Sequence, residues 1–250
     1  MHYIVFDLEF NQGYKSKEDV KPISNPKCPF EIIQIGALKL DENLNEVSSL
    51  DIFIKPELYT ELNPLVEKLT GIKIETLNNS KPFKEVYNTL SNFITPDDIL
   101  VVWGVCDVKE LFRNILYHNL DLSLISNKYI NIQSYASKYL KCTKGVNIGL
   151  SKAIHRLEIP IKDEFHNAFN DAYYTAEIFK KLYNNNIKTQ LYSFNKRPST
   201  NNTKKQAIDI NELIKQFEKM FNREMTKEEE SIIKLAYFMG KTNQFQVKTK

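Results

Sequence analysis

The chain has 250 residues, 42% of them hydrophobic and 26% charged, with a formal net charge of +3. This ordinary globular usage leaves room for one large domain and a small extension. No apolar run approaches the roughly 20 residues of a membrane-spanning helix, and three scattered cysteines (Cys28, Cys106, Cys142) without a Cys-x-x-Cys pair argue against a disulfide framework or a zinc knuckle.

The first apolar stretch, Tyr3 to Phe10, contains Asp7 and Glu9 and lacks a basic leader, unlike a signal peptide. A soluble protein of the reducing cytoplasm, without membrane association, is therefore expected. Charge is unevenly divided. Residues 1–187 carry 21 Lys and Arg against 24 Asp and Glu, a net −3, whereas residues 188–250 carry 13 against 7, a net +6. A basic appendage suits a phosphate backbone, although a solvated helical face has the same composition.

In chain order, the opening residues to Phe10 are predicted to form a buried strand, rich in β-branched and aromatic side chains. A long polar loop from Asn11 to Pro29 follows, then strands over Glu31–Leu40 and Val47–Lys55 separated by a turn, which together make an antiparallel meander. Helical spacing appears in Pro64–Leu69 and again in Phe83–Ile94. The almost wholly apolar Ile99–Trp103 reads as an interior strand covered on both faces. An amphipathic helix from Val108 to Leu116, a short strand Tyr129–Ile132, and helices over Ile148–Leu157 and Ala168–Tyr183 complete the body.

Antiparallel strands followed by strand-helix alternation predict an α/β fold with helices on both faces of a mixed sheet, for which the ribonuclease-H-like arrangement is one solution. The predicted organisation is a domain over residues 1–190, a polar linker over 191–207 and a basic helical extension over 208–250. The extension holds two helices, Ile208–Phe221 and Glu228–Met239, the second opened by a capping box of Thr226 and Glu229.

Asp7 and Glu9 are two apart on a strand and so share a face. Two carboxylates on an apolar strand are costly unless exposed, paired or bound to cations, and a face turned to solvent or to basic side chains would also satisfy them. Asp107 follows the apolar strand and precedes a helix, which suits an N-cap, but the carboxyl end of a central strand is also where open α/β sheets place ligands. His166 and Asp171 stand near the start of a helix. Five helical positions would leave them about 140° apart, so they converge only if His166 lies in the loop before it. A surface histidine is the alternative. Carboxylates gathered from strand and helix starts form a hard-oxygen environment suited to Mg²⁺ or Mn²⁺, and two such ions about 3.5 to 4 Å apart suit phosphodiester cleavage.

The ordered blocks Phe6-Asp7-Leu8-Glu9, Glu31 to Ala37, Leu69-Thr70-Gly71-Ile72, Trp103-Gly104 through Asp107, and His166 to Ala172 resemble the DEDDh family of 3′-to-5′ exonucleases. The resemblance covers roughly residues 1 to 187. It implies a ribonuclease-H-like fold and two divalent cations, Mg²⁺ or Mn²⁺, with Asp7 shared between them, Glu9 and Asp171 completing one site and Asp107 the other. It further implies His166 as the general base for the attacking water, a task suited to an imidazole titrating near pH ~6.5. Leu69, Thr70 and Gly71 would lie near the terminal nucleotide.

Phe10 stands where many members have Thr, and with the adjoining loop this resembles the branch acting on RNA 3′ ends. Phe10 could stack on a base or belong to the core. The expected substrate is single-stranded nucleic acid with a free 3′ end, RNA favoured over DNA. The alternatives are a DNA repair or proofreading exonuclease and a non-catalytic binder on the same fold.

Overall fold

The computed structural model describes residues 1–14, 25–143, 145–184, 186–193 and 210–241. Two compact units are present, residues 1–194 and 195–250. The first contains strands β1 (Tyr3–Asn11), β2 (Glu31–Leu40) and β3 (Glu46–Lys55), then helices α1 (Pro64–Thr70) and α2 (Ile74–Asn78). It continues through β4 (Lys81–Pro82), α3 (Phe83–Phe93), β5 (Ile99–Val102), α4 (Cys106–Tyr117), β6 (Lys128–Asn131) and α5 (Ile132–Tyr139). It ends with α6 (Leu150–Arg156), α7 (Ala168–Leu182) and β7 (Gln190–Leu191).

The strands form one sheet in the order β4-β3-β2-β1-β5-β6-β7. The expected antiparallel meander is present as β1·β2 and β2·β3, and β5 and β6 extend it in parallel on the other side of β1. The edge strands are a parallel β4 and an antiparallel β7. This is the mixed ribonuclease-H-like sheet expected from the sequence.

Strand alternation divides the core between the two faces of the sheet. Ile4, Phe6 and Leu8 of β1 pack with Leu100 and Val102 of β5 against α3 and α4. Tyr3 and Val5 pack with Ile99 and Val101 against α5, α6 and α7. Side chains such as Ile4, Val5 and Val101 have no exposed surface, each worth about 1.5–3 kcal/mol on burial. No helix among the described residues is long and apolar enough to cross a membrane.

Several boundaries differ from the sequence reading. β5 stops at Val102, before Trp103, and β6 runs from Lys128 to Asn131, so Ile132 opens α5, a helix whose short amphipathic pattern the reading left unassigned. Leu191 belongs to β7, and the Tyr192 ring stacks on Phe112 with centroids 5.4 Å apart, so the start of the predicted linker forms a sheet edge. Residues 194–207 of that linker lie outside the described residues, as do residues 208–209 of the predicted helix Ile208–Phe221 and residues 15–24 of the predicted Asn11–Pro29 loop.

The second unit contains α8 (Ile210–Phe221) and α9 (Lys227–Lys241). The capping box is formed: the Glu229 N–H donates to Thr226 Oγ1 at 3.3 Å and the Thr226 N–H donates to Glu229 Oε2 at 2.9 Å.

Candidate active site

The face of β1 that carries Val5 inside the core carries Asp7 and Glu9 at its next two positions. Parallel pairing with β5 ends at Val5 opposite Val101, so Asp7 lies beyond the paired segment, at the carboxyl edge of the central strands. There β5 gives way to Trp103-Gly104-Val105 and the start of α4. Asp107 is the second residue of that helix, not its N-cap as the sequence suggested. The cap position is Val105, with no side-chain hydrogen bond. The helix begins two residues earlier than its apolar pattern indicates, at Cys106 and not Val108, which leaves the Asp107 carboxylate, only 7% exposed, to the site.

Helix α7 brings the remaining groups, and β2 determines how closely it approaches. Gly36 pairs with Asp7 across the sheet, and a Cβ there would lie 2.2 Å from the carbonyl carbon of Ala168 and 2.2 Å from the nitrogen of Phe169. Only glycine admits that backbone. One place along the same face, buried Gln34 accepts from the Ala168 N–H at 3.2 Å and donates to Asp51 Oδ1 at 2.8 Å. Asn167 caps the helix, accepting from the N–H groups of Phe169 and Asn170 at 3.0 and 3.3 Å.

With α7 so fixed, Asp7, Glu9 and Asp171 each place a carboxylate oxygen within 4.8 Å of the others. Asp107 stands outside this tightest group but close enough for its charge to raise the pKa of both Asp7 and Glu9. His166 lies in the loop before α7, as convergence with Asp171 requires. Its backbone is left-handed (φ 67°), and its N–H donates to Asp171 Oδ2 at 3.3 Å while the residue remains exposed. For a non-glycine residue this conformation costs about 1–3 kcal/mol, a strain met often at functional sites.

Electrostatically, His166 offsets part of the charge on Asp171, and its effect is smaller than that of burial. Among the described residues, no Lys, Arg or His lies within salt-bridge distance of these four carboxylates. Burial, then the charges of Asp107, Asp171 and Glu9, holds Asp7 well above the usual carboxylate range. Burial and its acidic neighbours push Glu9 up to about 8, and burial is the main cause that pushes Asp107 up to about 7. Asp171 is raised too, chiefly by burial, and its Oδ1 is buried without a hydrogen-bond partner. Oxygen-only donors, mutual repulsion and an orphaned carboxylate oxygen fit a divalent cation of the Mg²⁺ or Mn²⁺ type.

A stability test follows. Groups with raised folded-state pKa values hold protons more tightly in the folded chain, so their stabilisation is complete at low pH and is lost as pH rises through the folded values. In EDTA the melting temperature should therefore fall between about pH 4.5 and pH 8. Mg²⁺ or Mn²⁺ should restore it most strongly at the alkaline end. A flat or rising profile in EDTA would contradict this electrostatic picture.

A family model described as "RNase_T: Exonuclease" matches residues 4–179. The chain belongs to the exonuclease family. No curated protein matches its sequence. Among solved structures, this exonuclease is similar to a 3′-exonuclease solved for 3′-end specific recognition of a histone mRNA stem-loop, with 17% identity, a TM-score of 0.62, and coverage of 76% of this chain and 84% of that one. It is also similar to cell-death related nuclease 4, with 17% identity, a TM-score of 0.62, and coverage of 76% and 66% respectively. E. coli exonuclease I, solved with a dA16 oligonucleotide, has 17% identity and a TM-score of 0.54, with 72% of this chain covering 40% of that one. At such identities the likeness is one of fold.

The residues expected near the terminal nucleotide divide in their roles within the exonuclease. Phe10 continues the Phe6 and Leu8 face of β1 and packs beside Phe30, ring centroids 6.0 Å apart, on the side of the sheet opposite Asp7 and Glu9. It belongs to the core rather than to a stacking platform beside the carboxylates. The Thr70 hydroxyl donates to the Val66 carbonyl and accepts from the Ile72 N–H, and Gly71 (φ 72°) ends α1. Leu69 is 57% exposed, and Leu65 one turn before it is 73% exposed.

Sequence reasoning missed the residues that hold these elements in place. Buried Glu31 accepts the N–H groups of Glu57, Leu58 and Tyr59 at 2.7–2.8 Å. Buried Asn11 donates to the carbonyls of Tyr59 and Glu61 and accepts from the Asn63 N–H, fixing the approach to α1. The available signal was polar and glycine residues (Glu31, Gln34, Gly36) inside an otherwise apolar strand.

Proposed function

We propose that this exonuclease removes nucleotides from the 3′ end of single-stranded nucleic acid, RNA in preference to DNA, with two divalent cations, Mg²⁺ or Mn²⁺. The observation that carries the reading is the gathering of Asp7, Glu9 and Asp171 around one point, with Asp107 beside them and no cationic side chain in salt-bridge range among the described residues. Asp7, Glu9, Asp171 and Asp107 would hold the cations, Asp7 contributing to both sites, Glu9 and Asp171 to one and Asp107 to the other. When bound, such a pair stabilises charge on the attacking and leaving oxygens and eases deprotonation of water.

His166 is the general base. Its exposed position beside Asp171 lets the imidazole take a proton from the attacking water and release it to solvent. Asn167, Gln34 and Gly36 orient it indirectly by fixing the start of α7. Leu69 borders the terminal nucleotide with its exposed apolar side chain. Residues 1–190 form the exonuclease domain, and the extension over 208–250, which holds α8 and α9, carries 8 Lys and Arg against 7 Asp and Glu, so most of the C-terminal positive charge lies in residues 188–207.

Support for RNA comes from the similar 3′-exonuclease solved with a histone mRNA stem-loop, and for the DNA alternative from E. coli exonuclease I solved with dA16. The test is degradation of 5′-labelled single-stranded RNA and DNA of one sequence with Mg²⁺, Mn²⁺ or EDTA. Stepwise shortening that requires metal and is faster on RNA is expected. Faster shortening of DNA would replace the substrate, and shortening in EDTA would remove the cations from the reading. His166→Ala should lower turnover by roughly 10²–10⁴-fold with binding nearly unchanged, as loss of a general base does. A near-normal rate would remove His166 from that role.

A further inference from the structure

A second charged feature lies along α4, away from the carboxylates. Lys109, Arg113, Leu116 and Tyr117 follow one another down one side of the helix, and with Lys27 and Tyr192 they line a groove of about 410 Å³, within the usual ligand-site range of ~300–1,000 Å³. The groove is built rather than incidental. Fully buried Glu110 holds Arg113 at 2.8 Å through both carboxylate oxygens and Lys109 at 3.3 Å. Tyr192 is held by its stack on Phe112. Three cations against one buried carboxylate leave a net positive, aromatic-walled surface, the combination that binds phosphate and stacks a base.

We propose that this groove binds a phosphate and base of the same nucleic-acid strand, several nucleotides upstream of the end being cut, an inference that rests on the single-stranded substrate proposed above. Helix α4 ties the two places together, because it starts at the site with Asp107 and continues into the groove. Arg113 is six residues and Tyr117 ten residues further on, about 9 and 15 Å along the axis. The groove side of α4 is also turned more than about 100° from Asp107 around the helix. At ~3.4 Å per stacked nucleotide, a strand from the site reaches the groove after roughly three to six nucleotides. A trinucleotide falls short, and a dodecanucleotide reaches it.

The test uses the full chain carrying Asp7→Asn to prevent turnover, with and without the added pair Lys27→Glu and Lys109→Gln, which leaves Arg113 on Glu110. Affinity for a trinucleotide and a dodecanucleotide is measured by fluorescence anisotropy across a salt series, with a free nucleoside 5′-monophosphate as competitor. The added pair should weaken dodecanucleotide binding roughly threefold and reduce its salt slope by about 0.7, the amount expected for one phosphate contact on a single strand. Trinucleotide binding should change less than the dodecanucleotide's, and the monophosphate should compete poorly for the groove. Equal effects on both lengths, or an unchanged salt slope with the dodecanucleotide, would overturn the groove alone. Strong competition by the monophosphate that the added pair abolishes would reassign the groove to free nucleotide. Failure of the parent to bind either strand would overturn the substrate class and the groove with it.

Discussion

Asp7→Asn should lower the rate of strand shortening by on the order of 10³-fold or more while raising the melting temperature of the metal-free protein. Removing one preorganised charge-stabilising group costs an enzyme about 10²–10³-fold, and Asp7 is here the carboxylate common to both proposed cation sites. The stability gain has a separate cause. Asp7 is pushed well above the usual carboxylate range by burial and by Asp107, Asp171 and Glu9, so an isosteric neutral amide removes repulsion that no nearby cation offsets. Activity and melting, measured side by side in EDTA and then with Mn²⁺, separate this from misfolding. A variant that is inactive because it is destabilised would show that Asp7 holds the fold together instead of serving the reaction.

Gly36→Ala should damage both activity and stability, although Gly36 bears no chemistry. Its new Cβ would stand 2.2–2.3 Å from backbone atoms of Ala168 and Phe169, so α7 must move outward. A displacement of about 1 Å in a positioned group costs around 10²-fold in rate, and overpacking costs about 1–3 kcal/mol. Asp171 and His166 would move together, because Asp171 lies in the first turn of α7 and His166 in the loop that enters it, tied to Asp171 through its N–H. The combined readout is turnover and melting temperature; wild-type values for both would mean that α7 does not rest on Gly36.

Much of this molecule was legible in its residues. The meander β1-β2-β3 followed from consecutive apolar strands set apart by polar and turn-like segments, and Asp7 with Glu9 on one face followed from the strand period of two. That His166 must lie in a loop before α7 if it is to converge with Asp171 followed from helix geometry, since five helical positions would have turned it away. Other parts were hidden for physical reasons. Asp107 reads as a cap because apolar periodicity begins at Val108, whereas the helix starts at Cys106 with no side-chain cap. Phe10 beside two carboxylates looked able to stack on a base, but an odd number of residues from Asp7 places it on the opposite face with Phe30. Gln34, Glu31 and Asn11 act through backbone partners far away in sequence, which no local pattern reveals.

The pairing of β1 with β2 slips by one residue between Glu9 and Phe10: Glu9 faces Gln34, but Phe10 faces Ile32. Ile33 is therefore an inserted residue in the ladder, a bulge. Strict alternation would put Glu31 on the sheet face opposite Gln34 and Gly36. The extra residue turns it back, so one strand clamps the loop before α1 through Glu31 and the start of α7 through Gln34 and Gly36. Both walls of the cleft are thus gauged from a strand that supplies none of its reactive groups.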